Sequence, residues 1–295
     1  MFKGFLKYRV NIMEKNTGKL YKYINKVEDF WTKRNQLIKG AEDYKVACRW
    51  LQSILDDLDK GIVRACEKKH GEWHTNEWVK KAILLYFKLH DSVLTSTQVA
   101  CYYDKIPLKF YSSGSEEDNF KELGIRVVPG AIIRKGAYIG HSTVIMPSFI
   151  NIGAYVGSGT MIDSWATVGS CAYVGNKCHI SGGVGLGGVL EPIQNASVIV
   201  EDNCFIGARS QIAEGVIVES GAVIGTGVQI SASTKIVDRE TGEVTYGRIP
   251  ANSVVVPGSL PQPYSNNIQL QCAVIIKKVD NNTRAKTSIN DLLRC

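Results

Sequence analysis

From Val144 onward an aliphatic residue returns at every sixth position: Val144, Ile150, Val156, Ile162, Val168, Val174, Ile180 and Leu186. The register slips by two residues and resumes at Val200, Ile206, Ile212, Val218, Ile224, Ile230 and Ile236. Four residues after most of these stands a small or short residue: Thr160, Ala166, Ala172 and Cys178, then Cys204, Ser210, Val216, Ala222 and Thr234. Neither a helix of period 3.6 nor a strand of period 2 isolates one aliphatic in six. A solenoid with three flat faces does, with one inward aliphatic per short strand and a tight turn at each corner. Gly157, Gly169, Gly175, Gly207 and Gly225 directly follow inward aliphatics, where close backbone approach excludes a side chain. Eighteen residues close one coil, so 127–236 makes about six coils and a prism roughly 29 Å long at ~4.8 Å per strand.

Outside the repeat the periodicity changes. Val46, Ala47, Trp50, Leu51, Ile54, Leu55 and Leu58 recur at helical spacing and predict an amphipathic helix over 44–58. Ile62 to Cys66 reads as a strand turning at His70-Gly71, and Thr75 or Asn76 caps a second helix that carries Val79, Ala82, Ile83 and Tyr86 inward. Asp104 to Gly124 is a polar link. Asp238 to Glu243 interrupts the period as a charged turn, and 253–256 and 273–276 read as strands. These flanks would cap the open solenoid ends. The expected division is a basic, partly flexible leader over 1–40, an N-terminal α/β domain over 41–124, the β-helix over 125–250 and a C-terminal β extension over 251–295.

Composition sharpens this picture. Eighteen of 28 glycines lie between Gly130 and Gly227, and four of five tryptophans precede residue 79, so two architectures share the chain. Of the formal net charge of +7, all of it sits in residues 1–40, which hold ten Lys/Arg and three Asp/Glu. The other 255 residues balance, which argues against a nucleic-acid surface on the body of the protein. Met13 is a second candidate initiator. No apolar stretch reaches membrane length, and Lys3, Lys7 and Arg9 break any secretory h-region, so neither membrane nor export is expected. Eight cysteines without a CxxC pair read as reduced thiols in the cytoplasm, with Cys178 and Cys204 as core packing. Two histidines, His141 and His179, lie within the repeat, too few for a three-histidine zinc site. The glycine-rich Ser181 to Gly188 lacks the Lys-Ser/Thr ending of a phosphate loop.

Longer strings rise above the repeat. Met146 to Val156, Gly159 to Ala172, Ser181 to Pro192, Glu201 to Ser210, Asp238 to Glu243, Tyr246 to Pro250 and Trp78 to Leu85 resemble the tetrahydrodipicolinate N-succinyltransferases of bacterial lysine biosynthesis. The resemblance covers roughly 41–294. It implies a left-handed parallel β-helix and a homotrimer with active sites in the clefts between prisms. The implied reaction is succinyl transfer from succinyl-CoA, a co-substrate, to the amine of ring-opened tetrahydrodipicolinate (2-amino-6-oxopimelate), with no permanently bound cofactor. Another hexapeptide acyltransferase and a catalytically silent trimeric scaffold are the competing readings.

An amine attacks a thioester only when neutral, so the site must orient the ammonium and help remove a proton. It must also bind two acceptor carboxylates and stabilise an oxyanion. The resemblance makes Asp163 the residue at the amine and Arg126 a carboxylate ligand suited to bidentate binding. Taken by pattern alone, Asp163 could instead bond its own turn backbone and Arg126 could be a salt-bridged cap residue. Where the family commonly carries a glutamate, this chain has Gln211, and an amide cannot take a proton. Either the second carboxylate is not the base, or Glu214 or Glu201 replaces it, or the enzyme is slower. His179 stands beside inward Ile180 and is an accessory candidate, whereas His141 starts an exposed turn. Backbone groups of Gly183 and Ala208 are candidates for the pantetheine amides, with the glycine-rich coil running flat beside that arm. Arg248, Lys277 and Lys278 are candidates for the coenzyme phosphates.

Overall fold

The computed structural model describes residues 18–96, 100–110, 116–262, 265–288 and 291–293. Its body is the expected mainly-β, left-handed parallel β-helix built of two-residue strands. A first face stacks Tyr138–Ile139, Tyr155–Val156, Tyr173–Val174, Ile199–Val200, Ile217–Val218 and Arg248–Ile249. A second runs from Arg126–Val127 through Val144–Ile145, Met161–Ile162, His179–Ile180, Phe205–Ile206 and Val223–Ile224 into the C-terminal hairpin. The third holds Ile132–Ile133, Phe149–Ile150, Thr167–Val168, Gly185–Leu186, Gln211–Ile212 and Gln229–Ile230.

The second residue of each strand fills the axis, and the small-residue column packs between them, Cys178 and Cys204 included. The corner glycines are obligatory: a Cβ on Gly157 would lie 2.5 Å from the Gly175 carbonyl carbon, and one on Gly207 equally close to Gly225. One register differs from expectation. Ile145, not Val144, is the axial residue, and Val144 pairs with Met161. The column therefore runs Val127, Ile133, Ile139, Ile145 and then Ile150, a step of five. The corner at Met146-Pro147-Ser148 is one residue short, and its Pro147 carbonyl accepts the Trp165 N–H at 2.6 Å.

The two-residue slip extrudes a loop over 187–197. Buried Lys80 holds it from behind, donating its ammonium to the carbonyls of Gln194 and Asn195. Ile236–Asp238 turns back on Val244–Thr245 as an antiparallel pair, with Asp238 accepting from the N–H groups of Glu240 and Thr241.

The N-terminal unit packs a helix through 18–32 (α1) with α2 (Glu42–Asp59) and α3 (Glu77–Leu89) around Tyr23, Val27, Phe30, Leu51, Ile54 and Ile83. The boundary expected at residue 40 is thus misplaced. Tyr23, Val27 and Phe30 recur on one face of α1 and are buried, the Tyr23 hydroxyl donates to Asp57 at 2.9 Å, and Lys19 pairs with the same carboxylate at 2.6 Å. The remainder of the leader, 1–17, including Met13, lies outside the described residues.

After α2 the chain wraps back so that the Asp57 carbonyl takes the N–H groups of Ile62 and Val63. The expected strand therefore begins later: Cys66–Lys69 (β1) pairs with Glu72–Thr75 (β2) about the His70-Gly71 turn. Asn76 precedes α3 as expected, but its side chain reaches the Arg64 carbonyl and Glu67 instead of capping the helix. Val93–Ser96 (β3) and Cys101–Asp104 (β4) form a second hairpin. The polar link contains a helix, α4 (Glu116–Leu123), whose Phe120 meets Phe110 at the open end of the prism. At the other end Ser253–Gln262 and Ser265–Lys278 form one long hairpin, followed by α5 (Asn281–Thr287) and a 3-10 turn at Asp291–Leu293.

Candidate active site

The edge between the second and third faces carries Asp163. Corner triplets stack along it: Asp163-Ser164-Trp165, Ser181-Gly182-Gly183, Gly207-Ala208-Arg209 and Gly225-Thr226-Gly227. They are bonded Gly183 N–H to Ser164 O (2.8 Å), Arg209 N–H to Gly182 O (3.0 Å) and Gly227 N–H to Ala208 O (2.9 Å). The third residue of each is left-handed, with φ of 61, 69, 60 and 71°. Two of the four are glycines, as that conformation favours. Trp165 and Arg209 are not, and both were missed by the sequence reading, although they break the glycine column.

Asp163 does two things at once. Its Oδ1 accepts the Ser164 N–H at 2.7 Å, the turn bond that pattern alone expects of a corner aspartate. Its Oδ2 faces the Nε2 of His179 at 3.9 Å. His179 projects from the second face one coil on, in register between Met161 and Phe205, and its ring stacks on Phe205 with centroids 5.0 Å apart and planes 15° apart. Beyond it a cleft of about 550 Å³ opens between this face and α5, lined by Lys177, His179, Phe205, Arg284, Thr287 and Ser288. Arg284 fixes the α5 wall through Gly221 O (2.9 Å) and Asn252 Oδ1 (2.6 Å).

Other candidates spread along the prism. Arg126 shares the outward column of the second face, two strands before Met161 and hence about 10 Å along the axis from the Asp163 coil. Its Nε donates to the Leu293 carbonyl at 3.0 Å, so the C-terminal turn lies against it. Gln211 stands on the third face two coils to the other side, again about 10 Å along the axis. One prism does not bring Arg126, Asp163 and Gln211 onto a single amine.

The glycine-rich coil is not bare, contrary to expectation. A Cβ on Gly183 would meet the Arg209 Cδ at 2.8 Å, and one on Gly185 would overlap the Gln211 Oε1, so these glycines make room for side chains of the next coil. Gly183 spends its N–H on Ser164 and can offer a ligand its carbonyl, whereas Ala208 uses its carbonyl on Gly227.

Neither candidate carboxylate stands beside Asp163 within this prism. Glu201 is buried at the corner between the first and second faces. It accepts from Lys68 Nζ (2.7 Å), Trp73 Nε1 (2.8 Å), and both the N–H and hydroxyl of Ser220 (2.9 Å each). Burial pushes its pKa up, but these four donors outweigh it and hold the carboxyl at about 2. Glu214 sits at the far end of the third face, its Oε2 on the Ala232 N–H at 3.1 Å. Arg248 lies on the first face, paired with Glu219 at 2.8 Å and Glu72 at 3.5 Å, and does not share the cleft. Lys277 and Lys278 lie beyond the last coil of the second face, bonded to Asp280 (2.6 Å) and Ser253 (3.3 Å). His141 is exposed at the opposite corner.

Two family models match the chain: the N-terminal part of tetrahydrodipicolinate N-succinyltransferase over residues 22–89, and the hexapeptide repeat of succinyl-transferase over 197–232. The 2,3,4,5-tetrahydropyridine-2,6-dicarboxylate N-succinyltransferase of Acinetobacter baylyi is 57% identical over 83% of this chain and 88% of its own. That of Rickettsia conorii is 57% identical over 92% and 98%, and that of Dechloromonas aromatica 50% over 91% and 97%. The chain belongs to the tetrahydrodipicolinate N-succinyltransferase family. Its N-terminal match begins inside α1, upstream of the 41 taken from the sequence strings, in agreement with the packing of that helix. Members of the family are acyltransferases, and the asymmetric distribution of irregular corners around Asp163 is where this chain departs from a plain repeat.

Proposed function

We propose that this chain transfers the succinyl group of succinyl-CoA to the amine of 2-amino-6-oxopimelate, the ring-opened form of tetrahydrodipicolinate, on the route to diaminopimelate and lysine. The amine attacks the thioester directly. The observation that carries this is the Asp163 carboxylate: one oxygen is anchored by its own turn, and the other opens beside His179 onto the second face. An anchored carboxylate holds an incoming ammonium at a fixed point and orients its lone pair once a proton has left.

Direct attack is favoured because two buried thiols of the prism, Cys171 and Cys178, are unsuited to carry an acyl group. Burial pushes the Cys171 thiol up to about 12, and it pushes Cys178 upward as well, with its Sγ donating to the Glu201 carbonyl at 3.0 Å. A thiol so far from its thiolate is a poor nucleophile.

The separation of Arg126 and Gln211 on either side of Asp163 supports a homotrimer in which a neighbouring copy completes each site. Lys277 and Lys278, four strands from His179 along the second face, suit the phosphate end of the extended coenzyme. No cofactor beyond the acyl-CoA is invoked. Among the described residues no helix is long and apolar enough to cross a membrane, and a cytoplasmic location agrees with the acyl-CoA supply.

The test is release of coenzyme A thiol from succinyl-CoA with and without the acceptor, on wild type and Asp163→Asn. Release should depend on the acceptor, and the variant should lose about a hundredfold or more. Acceptor-independent release, or full activity in D163N, sinks the mechanism.

A further inference from the structure

We infer that the cleft between the N-terminal unit and the first face of the prism binds a small planar aromatic anion, its ring held against Trp73 and its acidic group on Arg64. The first face lies opposite the edge that carries Asp163, so this site is separate from the one described above. The cleft has a volume of about 660 Å³. That is within the range of roughly 300–1,000 Å³ typical of small-molecule sites. Leu20, Tyr21 and Ile24 of α1 form one side, residues of the β1–β2 hairpin the other, and Tyr173 of the prism its floor.

The aromatic wall is continuous and fixed. Tyr138, Tyr155 and Tyr173 occupy the outward column of the first face on successive coils, with ring centroids 4.6 and 4.9 Å apart and planes 20 and 5° from parallel. Trp73 extends this stack over Tyr173 at 4.6 Å, and its Nε1 donates to Glu201 at 2.8 Å. On the next coil the column turns to Ile199, so the aromatic rings lie where the N-terminal unit covers the face. Tyr21 and Ile62 also line the cleft, yet they stay 66% and 44% exposed, so apolar surface is left open on its sides. Such a wall accepts a further flat ring by stacking or edge contact.

The charges are arranged for an anion. Of the three cations lining the cleft, Lys68 meets Glu201 at 2.7 Å and Lys69 meets Glu67 at 2.8 Å. Arg64 has no carboxylate among the described residues. Its Nε donates to the Gly61 carbonyl at 3.3 Å, and its Cζ stands 4.5 Å from the centroid of Tyr155, which leaves its two terminal NH₂ groups without an acceptor among the described residues. A guanidinium held this way offers a fork to a carboxylate or phosphate while resting on an aromatic ring. Glu67 adds a complementary acceptor: Lys69 and Asn76 both bond its Oε1, and its Oε2 has no partner among the described residues. The fitting ligand therefore carries an N–H on its ring as well as an acidic group, as a purine nucleotide or an indole carboxylate does.

The experiment is calorimetric titration of the full chain with AMP, indole-3-acetate and the uncharged adenosine, with melting temperatures recorded, on wild type, R64Q and Y21A. At least one anion should bind wild type with submillimolar Kd and raise its melting temperature, and adenosine should bind at least about tenfold more weakly than AMP if AMP binds. R64Q should weaken the anion at least about tenfold, and Y21A, which changes an exposed side chain on the opposite side, at least about threefold. Both variants should keep the acceptor-dependent thiol release of wild type, because they lie across the prism from Asp163. Binding of AMP alone assigns the site to a phosphate, and binding of indole-3-acetate alone to a carboxylate. No binding of either anion up to about 5 mM, or affinities unchanged in both R64Q and Y21A, overturns the proposal. Adenosine binding as tightly as AMP overturns it equally.

Discussion

The Glu201 clamp offers the sharpest quantitative test of how the N-terminal unit is held to the prism. Its carboxylate joins three pieces of chain: Lys68 on β1, Trp73 on β2 and Ser220 at a corner of the next coil. Its folded pKa of about 2 lies below the ordinary 4.5, so the ionised form stabilises the fold. For a depressed carboxyl the contribution is complete above the unfolded value and lost as pH falls through the folded one. At about 1.4 kcal/mol per unit this is about 3 kcal/mol above pH 5 and about half of that at pH 3. Lys68 is half-exposed, and screening of its share trims the plateau to about 2 kcal/mol. Glu201→Gln keeps the shape but turns an NH₂ towards the Ser220 N–H and leaves Lys68 without a counter-ion. Thermal unfolding at pH 7.5 should fall by roughly 4–8 °C. The gap between variant and wild type should narrow as the buffer moves from pH 5 towards 3. A Trp73 fluorescence change that precedes the main transition would locate the loss in the β1–β2 hairpin. Equal melting temperatures at pH 7.5, or a gap that widens on acidification, would refute the assignment of Glu201 as a clamp.

Other consequences are equally direct. Lys80→Ala leaves the carbonyls of Gln194 and Asn195 without their buried donor, at a cost of about 2 kcal/mol or more. Limited proteolysis should then cut within 187–197 faster than in wild type. Gly157→Ala places a methyl 2.5 Å from the backbone of the next coil, and the soluble yield and melting temperature should both fall. Gln211→Glu should change turnover by less than tenfold, because the proposed reaction runs with an amide at this position; a rise of several hundredfold would show that a carboxylate is wanted there. Arg126→Ala should raise the acceptor KM more than the succinyl-CoA KM, and an unchanged acceptor KM would remove Arg126 from the site.

Much of the prism was legible because its physics is local and periodic: an axial aliphatic, a corner glycine and a short residue recur without reference to distant contacts. The failures share a cause. Val144 was read in place of Ile145 because two adjacent aliphatics satisfy the same pattern, and only pairing with Ile162 chooses between them. Residues 18–40 read as leader because their charge is conspicuous, yet Lys19 finds Asp57 and Lys39 finds Asp91, partners 38 and 52 residues away. Net charge counts residues and is blind to such pairing. Asp163 was identified through the family string, and its neighbour His179 was visible only as an accessory, because their proximity depends on a coil-to-coil register that sequence spacing leaves open.

The irregularities of the repeat are not scattered. The missing residue at Met146-Pro147-Ser148 lies on the edge between the second and third faces, one coil before Asp163. Trp165 occupies the left-handed position next to that gap and is 77% exposed, which a repeat selected only for packing would not retain. Arg209 occupies the same position two coils on and lies across Gly183. A non-glycine residue with positive φ costs free energy, and at a plain corner a glycine would avoid that cost. Corners of the first face also carry such residues, for example Cys171 and Lys177, so strain alone does not mark the site. What sets this edge apart is the coincidence of strain, exposure and a shortened turn around a carboxylate whose second oxygen is open. The regular columns hold the prism together, and the breaks in them place Asp163, Trp165 and Arg209 along one rim with His179 on the face beside it.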